Sequence, residues 1–289
     1  MEKVLITGKD SYIGNSLKEW LMKWPDTYKV DIVDMKNYSW KENDFSQYDV
    51  IFHVAGIAHV SSDPKMEELY YKVNRDLAIE TAKKAKAEGV KQFIFMSSII
   101  VYGDGSSSKR VIDTNTVPSP NNFYGNSKLQ AEEGIMLLEN EKFKIVIIRP
   151  PMIYGKGSKG NYPRLAKLAG KIPLFPEIDN ERSMLHIDNL CEFIKVMIDN
   201  EESGVFFPQN KEYVSTSEMV KLIAEVHGRK IRLLKGMNWI VKMAFKVGAV
   251  NKVFGNLVYE QSMSSYDKAN YRIRDFKESI ELTEKDDGQ

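Results

Sequence analysis

Tyr124 and Lys128 stand four residues apart in the run Tyr124-Gly125-Asn126-Ser127-Lys128, so on a helix they share one face and reach the same point. A phenol and an ammonium held together suit proton transfer to or from an oxygen whose carbon gains or loses a hydride. A free tyrosine, with a pKa of about 10, is a poor base at neutral pH. A neighbouring ammonium favours the phenolate, and a shift of about three units corresponds to roughly 4 kcal/mol of differential stabilisation. The pair therefore predicts oxidation of an alcohol or reduction of a ketone, provided the chain also holds a hydride carrier.

The run Thr7-Gly8-Lys9-Asp10-Ser11-Tyr12-Ile13-Gly14 supplies a place for one, between an apolar strand-like run and a stretch at helical spacing. A dinucleotide's pyrophosphate would meet backbone N–H groups and the positive end of a helix dipole there. Gly8, Ser11, Tyr12, Ile13 and Gly14 are the residues expected against it. Asp34 closes the second strand 20 residues beyond Gly14, where it can hydrogen-bond a ribose 2′-hydroxyl and repel a 2′-phosphate. That favours NAD. Lys36, two residues on, could attract the 2′-phosphate of NADP, so either dinucleotide stays open.

These residues need a scaffold. Val4–Thr7, Val30–Val33, Val50–His53, Phe93–Ser97 and Ile145–Arg149 read as strands; the stretches after Gly14, at Leu69–Glu88 and at Lys128–Glu139 read as helices. Their alternation predicts an α/β fold, a doubly wound parallel sheet covered on both faces. After Arg149-Pro150-Pro151 glycines and prolines break the regularity, which marks a smaller C-terminal lobe. The expected division is residues 1–155 for the dinucleotide domain, with 184–207 returning to it, and 156–183 plus 208–289 for the second lobe. Within the returning part, Asp188 is expected to cap a helix over Asn189–Asn200, His186 and Cys191 to be packed, and Val205-Phe206-Phe207 to form a strand.

In this order and spacing the motifs resemble the extended short-chain dehydrogenases of the NAD-dependent epimerase/dehydratase family. The resemblance runs from Met1 to about Gly155. The family's T-G-x-x-G-x-x-G is matched at Thr7, Gly8 and Gly14, with Ser11 at the middle glycine. His53-Val54-Ala55-Gly56 resembles the element that passes beneath the cofactor, which implicates Ala55 and Gly56; Val73-Asn74-Arg75 resembles the helix whose asparagine, here Asn74, supports the active-site end. Ser97-Ser98-Ile99-Ile100-Val101-Tyr102-Gly103 resembles S-S-x-x-V-Y-G, which puts Ser98 at the serine that orients the reacting oxygen, beside Tyr124 and Lys128. The resemblance implies a Rossmann-type domain, NAD or NADP as cofactor, Lys128 also contacting it, and a nucleotide sugar, commonly a UDP-sugar, as substrate. In the distal lobe it implies that Asn161, Arg164 and Arg182 hold the nucleotide diphosphate, Arg182 as a charge partner. From Asp34 to Val50 there are only 16 residues, where the family usually fits a further helix and strand, so the adenine side should be abbreviated.

The residues that are absent narrow the reaction. Sugar 4,6-dehydratases place an acid and a base just after the catalytic serine or threonine, and those positions are Ile99 and Ile100 here. Neither transfers a proton. What remains is reduction of a 4-keto sugar or reversible C4 oxidation as in a UDP-hexose 4-epimerase. The short adenine side and the lack of the asparagine that hexose epimerases carry three residues after Arg149 favour the reductase. The chain also resembles capsule-cluster reductases of UDP-4-keto-6-deoxy-N-acetylhexosamines. A non-catalytic dinucleotide-binding protein on this fold typically loses the tyrosine or the lysine, and both are present.

Composition adds exclusions. The 41 basic and 40 acidic residues leave no bulk field toward nucleic acid, and 43% apolar residues in a chain of 289 suffice for a core. One cysteine permits neither an internal disulfide framework nor a cysteine-clustered metal site, and no metal is expected. No 18-residue apolar run and no signal-like start are present, which predicts a cytoplasmic protein without an integral membrane segment. Residues 238–248 could form an amphipathic helix touching a membrane or a partner. A homodimer is left open.

Overall fold

The short apolar runs become a single parallel sheet because both of its faces are covered. Numbering along the chain, its strands are β1 (Glu2–Thr7), β2 (Tyr28–Val33), β3 (Val50–His53), β4 (Gln92–Met96), β6 (Lys144–Ile148) and β10 (Gly204–Phe206), in the spatial order β2-β1-β3-β4-β6-β10. Val4, Ile6, Phe52, Ile94, Val146 and Ile148 are fully buried on one face, and Ile51, Phe93, Phe95, Ile145 and Ile147 on the other. Such two-sided burial is what unbroken Val/Ile/Phe runs encode. From β1 the chain moves to β2 on one side and then to β3 on the other, so the carboxyl ends of β1 and β3 flank a topological switch point, where open α/β sheets bind ligands.

This computed structural model describes residues 1–57, 63–104, 110–236 and 255–285. The chain divides into two units: Met1–Gly103, Val117–Pro150 and Leu190–Pro208 form the first, and Asp104–Thr116, Pro151–Asn189 and Gln209–Gln289 the second.

In the first unit, α1 (Tyr12–Leu21) lies beside α6 (Ile187–Asp199), and Trp20 donates to Glu192 at 2.9 Å. The other face carries α2 (Glu67–Tyr70), a π-helical turn at Tyr71–Asp76, α3 (Leu77–Ala87) and α4 (Phe123–Met136). Ala78, Ala82 and Ala85 of α3 and Ala131 of α4 share one core with Leu5, Ile51, Phe93 and Ile145, their small size letting the helices approach the sheet. The expected helix over Leu69–Glu88 is thus three segments. The one expected at Lys128–Glu139 begins earlier, at Phe123, because the Asn122 side chain caps it by accepting the Gly125 N–H at 2.9 Å. Tyr124 therefore sits in the first turn.

Between Asp34 and Val50 there is no further strand, only a 3₁₀ turn at Tyr38–Glu42. Trp40 and Phe45 fill the space, buried together with ring centroids 6.3 Å apart and packed with Val33 and Met35. The abbreviated side of the sheet has an aromatic plug in place of an extra layer.

The second unit has its own core of Tyr154, Tyr162, Leu165, Met184, Val220 and Ile280 among others. Here α5 (Asn161–Ala169) and α8 (Phe276–Glu284) pack on α7 (Thr216–Val226). Three small parallel pairs accompany them: β5 (Val111–Ile112) with β12 (Val258–Tyr259), β7 (Met152–Tyr154) with β9 (Met184–His186), and β8 (Leu174–Pro176) with β11 (Arg232–Leu234). Because α6 starts at Ile187, Asp188 lies inside its first turn and is not the cap expected; its carboxylate instead pairs with Arg274 at 3.1 Å. His186 and Cys191 are buried. Among the described residues no helix is long and apolar enough to cross a membrane, and residues 238–248 lie outside the described residues.

Truncating the plug should be costly. Trp40→Ala is expected to destabilise the protein by about 3–5 kcal/mol, read as a lower urea midpoint, and an unchanged midpoint would mean that the turn contributes nothing to the core.

Candidate active site

At the β1–α1 turn the backbone, more than any side chain, shapes the surface. Gly8 has φ +100°, and a Cβ there would come within 3.2 Å of the Ala55 Cα, so the turn runs hard against the end of β3. At Gly14 a Cβ would meet Ile6 Cγ2 at 3.0 Å and Val54 at 3.2 Å, which keeps the start of α1 close to the sheet. Ser11, the residue that departs from the glycine pattern, is the N-cap of α1: its Oγ accepts the Gly14 N–H at 3.1 Å. The amides of Tyr12 and Ile13 precede any carbonyl able to take them within the helix, so the anion-attracting end of α1 persists beside the serine. Asp34 accepts the Lys36 amide at 2.9 Å, and Lys36 extends its ammonium to Asp10 in an exposed ion pair. Lys9, Lys18, Asp34 and Ser39 line an open groove of about 700 Å³ at this edge. A glycine cradle that a Cβ would fill, a helix N-terminus and an acidic residue after β2 fit a dinucleotide.

The end of β3 leads to the second part of the site. Ala55 and Gly56 follow His53, whose Nδ1 lies 3.0 Å from the Thr7 hydroxyl. His53 is stacked on Phe93 and Phe95, with centroids 5.8 and 6.0 Å away. Burial pushes its pKa down to about 3, and the Lys128 charge pushes the same way, so the ring is neutral. Asn74, fully buried on the π turn, accepts the Ile57 N–H at 2.8 Å and donates to the Ile57 carbonyl at 3.1 Å and to Ser127 Oγ at 3.2 Å. Ser127 in turn donates to the Tyr124 carbonyl at 2.8 Å. A Cβ on Gly56 would stand 2.9 Å from Asn74 Oδ1 and 3.4 Å from Lys128 Nζ, so the small-residue element passes directly by the lysine.

Ser98, Tyr124 and Lys128 come together. Ser98 ends the extended run after β4 and caps a 3₁₀ turn at Ile99–Tyr102, its Oγ accepting the Ile100 N–H at 3.3 Å. It also hydrogen-bonds Tyr124, which is buried and edge-on to Tyr70 at 6.0 Å. Gly125 permits the approach: a Cβ there would lie 2.8 Å from the Ile100 carbonyl oxygen. Lys128, 5% exposed, donates to the Met96 carbonyl at 2.8 Å with its ammonium 4.6 Å from the Phe95 ring centroid. Burial lowers its pKa to about 8, against an opposing pull from Glu132. Burial also raises the Tyr124 pKa to about 12, with the Ser98 hydrogen bond working the other way. Burial thus favours the phenol, against the phenolate that the Lys128 ammonium and an oxidised nicotinamide are expected to favour. At neutral pH the pair is a protonated phenol beside a mostly charged lysine.

Two residues of this region were not expected. Glu132 lies one turn beyond Lys128, only 3% exposed, and its carboxylate accepts from Ser97 Oγ and from Arg149 Nε at 3.1 and 3.2 Å and Nη2 at 2.5 Å. Arg149 also donates to the Tyr102 hydroxyl at 2.7 Å. The spacing of four from Lys128 was a visible sign; a carboxylate on the buried face of a helix needs a cation, and Arg149 ends the next strand.

In the second unit Asn161 opens α5 and Arg182 faces it. With Met152, Met184, Thr216 and Met219 they line a small cavity of about 10 Å³. Arg182 donates to the Gly255 carbonyl at 3.3 Å, while its Nε is buried without a hydrogen-bond partner among the described residues. Burial lowers its pKa to about 10. Arg164 is exposed on α5 and does not line that cavity.

A doubly wound parallel sheet with a glycine turn at its first strand and a buried Tyr–Lys pair on its fourth helix defines a short-chain dehydrogenase/reductase, an NAD(P)-dependent enzyme. The chain belongs to the NAD dependent epimerase/dehydratase family, which residues 4–207 match. It is 35% identical over 227 residues to a UDP-glucose 4-epimerase of Vibrio cholerae, covering 76% of this chain and 69% of that one. It is 26% identical over 294 residues to the N-acetyl-alpha-D-glucosaminyl-diphospho-ditrans,octacis-undecaprenol 4-epimerase of Escherichia coli O157:H7, covering 95% of this chain and 85% of that one. Among solved structures, a dTDP-4-dehydrorhamnose reductase of Clostridium acetobutylicum superposes with a TM-score of 0.75 at 20% identity, over 97% of this chain and 98% of that one.

The close approach at Gly125 can be probed directly. Gly125→Ala must push α4 off the Ile100 carbonyl and is expected to destabilise the fold by about 1–3 kcal/mol; a urea midpoint equal to that of the parent would contradict the packing described.

Proposed function

We propose that the protein reduces the 4-keto group of a nucleotide sugar, a UDP-4-keto-6-deoxy-N-acetylhexosamine, in making precursors of capsule or other cell-surface polysaccharide. The observation that supports C4 oxidoreduction over dehydration is the company Tyr124 keeps: Ser98 hydrogen-bonded to it, Lys128 one turn along, and isoleucines at the two positions after Ser98, while the short link from Asp34 to Val50 favours the reductase. Dehydration needs an acid and a base where Ile99 and Ile100 stand. Reduction needs neither.

The roles follow from the chemistry. Ser98 and Tyr124 hydroxyls hold the C4 oxygen, and Tyr124, kept protonated by burial, gives its proton to that oxygen. A reduced dinucleotide, when bound, supplies the hydride to C4. Lys128 stabilises the phenolate left behind, which regains a proton from solvent before the next turnover. Gly8, Ser11, Tyr12, Ile13 and Gly14 cradle the pyrophosphate, Asp34 reads the ribose, and Ala55, Gly56, Asn74 and Lys128 face the nicotinamide end. Asn161 and Arg182 take the sugar nucleotide's diphosphate; the buried guanidinium edge without a partner supports that role. Arg164 is left for the outer phosphate or the nucleoside.

A second reading is reversible C4 oxidation, a 4-epimerase. The names of the two relatives favour it, and the one covering 95% of this chain is named for a sugar attached to diphospho-undecaprenol. Both readings use Ser98, Tyr124 and Lys128; they differ in whether reduced cofactor is consumed.

The deciding assay supplies UDP-4-keto-6-deoxy-N-acetylglucosamine with NADH or NADPH, and in parallel UDP-glucose, UDP-N-acetylglucosamine or its undecaprenyl-diphosphate counterpart with catalytic NAD. Stoichiometric loss of reduced cofactor supports the reductase, and C4 inversion without net consumption supports the epimerase. Tyr124→Phe is expected to lose at least 10²-fold in kcat, the usual worth of a general acid, with dinucleotide affinity unchanged within about threefold; a fully active variant would sink the mechanism. Because Lys128 loses its proton near pH 8, kcat should be level below that pH and fall above it. Asp34→Ala should raise the preference for NADP over NAD, measured as the ratio of Kd values, whereas an unaltered ratio would remove Asp34 from the ribose site.

A further inference from the structure

The hydrogen bonds described for the buried ion pair Glu132–Arg149 go to the frame around Ser98 and Tyr124. The segment bearing Ser98 leaves β4 at Ser97 and closes its 3₁₀ turn at Tyr102. Glu132 accepts from the Ser97 hydroxyl at one end, and Arg149, bound to Glu132 through two nitrogens, donates to the Tyr102 hydroxyl at the other. The backbone repeats the arrangement: Ser97 N–H donates to the Ile148 carbonyl at 2.8 Å and Ile99 N–H to the Pro150 carbonyl at 2.9 Å, straddling Arg149. The four residues from Ser98 to Val101 are therefore spanned by a brace whose carboxylate stands on α4, the helix that carries Tyr124 and Lys128.

We propose that Glu132, with Arg149 as its counter-ion, is a positioning residue that sets the Ser98 turn against Tyr124 and places a carboxylate one helical turn from Lys128. The inference rests on the C4 oxidoreductase reading. Two physical effects are joined in it. The first is register: Ser98 and Tyr124 approach from different elements, and Glu132 is the side chain that ties the start of one to the body of the other. The second is charge: an ammonium buried against a carbonyl and an aromatic face is costly, and a carboxylate one helical turn away offsets part of that cost. The groups facing Lys128 are His53 of β3, neutral and fully buried; Asn74 of the π turn, uncharged; the Met96 carbonyl and Phe95 ring of β4; and Tyr124 and Glu132 of α4. Among these described neighbours Glu132 alone brings negative charge.

The sign of the pH effect follows. Removing the Glu132 charge leaves Arg149 as an added positive neighbour, so Lys128 gives up its proton more readily. The alkaline limb of the kcat profile should move to lower pH.

The test uses the full-length enzyme, assayed with whichever of the substrates above it turns over. Glu132→Gln is expected to lower kcat about 10- to 100-fold, to leave KM and dinucleotide Kd within threefold, and to shift the alkaline limb downward by half a unit or more. Ser97→Ala removes only the register tie and leaves every charge in place, so kcat should fall three- to tenfold with the limb unmoved. This milder variant stays informative if Glu132→Gln fails to fold, and a Glu132→Asp variant should restore the limb without restoring the full rate. Parent-like kcat in Ser97→Ala, or a Glu132→Gln limb that does not move, would overturn the proposal. Should Tyr124→Phe prove active, the oxidoreductase reading itself falls; should it be dead while the Ser97 and Glu132 variants match the parent, only the brace is wrong.

Discussion

A lysine ammonium held out of water at the end of β4 is the constraint to which the rest of the first unit answers. Lys128 donates to the Met96 carbonyl and rests on the Phe95 ring, with no carboxylate in direct contact among the described residues. Its neighbours are shaped by that charge. His53 is neutral, Gly56 lacks the Cβ that would crowd it, and Glu132 is set back by one turn and engaged elsewhere. A carboxylate paired with Lys128 itself would neutralise it; one a turn away steadies the charge and leaves the ammonium available. Tyr124 feels the same dryness with the opposite sign, since burial disfavours the phenolate and favours the ammonium's neutral form alike. The site is thereby poised as an acid.

Features that depend on neighbours in the chain were legible in the amino-acid sequence. The apolar runs that became β1, β3, β4 and β6, the glycine turn after Thr7 and the four-residue step from Tyr124 to Lys128 are local patterns with local physical causes. The short link between Asp34 and Val50 was read as an abbreviated adenine side, and it holds no further strand; that Trp40 and Phe45 would fill it was not visible, because both look like ordinary residues of a polar loop. Features that depend on distant partners escaped. Glu132 acquires its meaning only from Ser97 and Arg149, separated from it by 35 and 17 residues. The start of α4 was set too late because Asn122 was not recognised as its cap, and Asp188 was taken for a cap when its partner Arg274 lies 86 residues away. Ser11 shows a different lesson: a departure from the glycine pattern is also a capping residue.

The second unit carries less local signal, and the structure separates residues that the family resemblance had grouped. Asn161 and Arg182 share a small cavity with three methionines, whereas Arg164 lies on the solvent side of α5. Among the described residues the Arg182 Nε has no hydrogen-bond partner, an unfavourable arrangement for a guanidinium placed among methionines. Thioethers, flexible and polarizable, suit a wall that must adjust when the space fills.

The π turn at Tyr71–Asp76 has an evolutionary corollary. Such a turn accommodates one residue more than an α-helical one, and Asn74 occupies it. Deleting a single residue there would restore a regular helix and, because the turn itself absorbs that residue, leave the alanine stripe of α3 facing the sheet as before. What the deletion would remove is the position from which Asn74 delivers its amide to Ile57 and Ser127. The extra residue is therefore held by the hydrogen bonds of one side chain and not by the phase of α3. A lineage that shed those bonds could shorten the turn without redesigning the helix that follows.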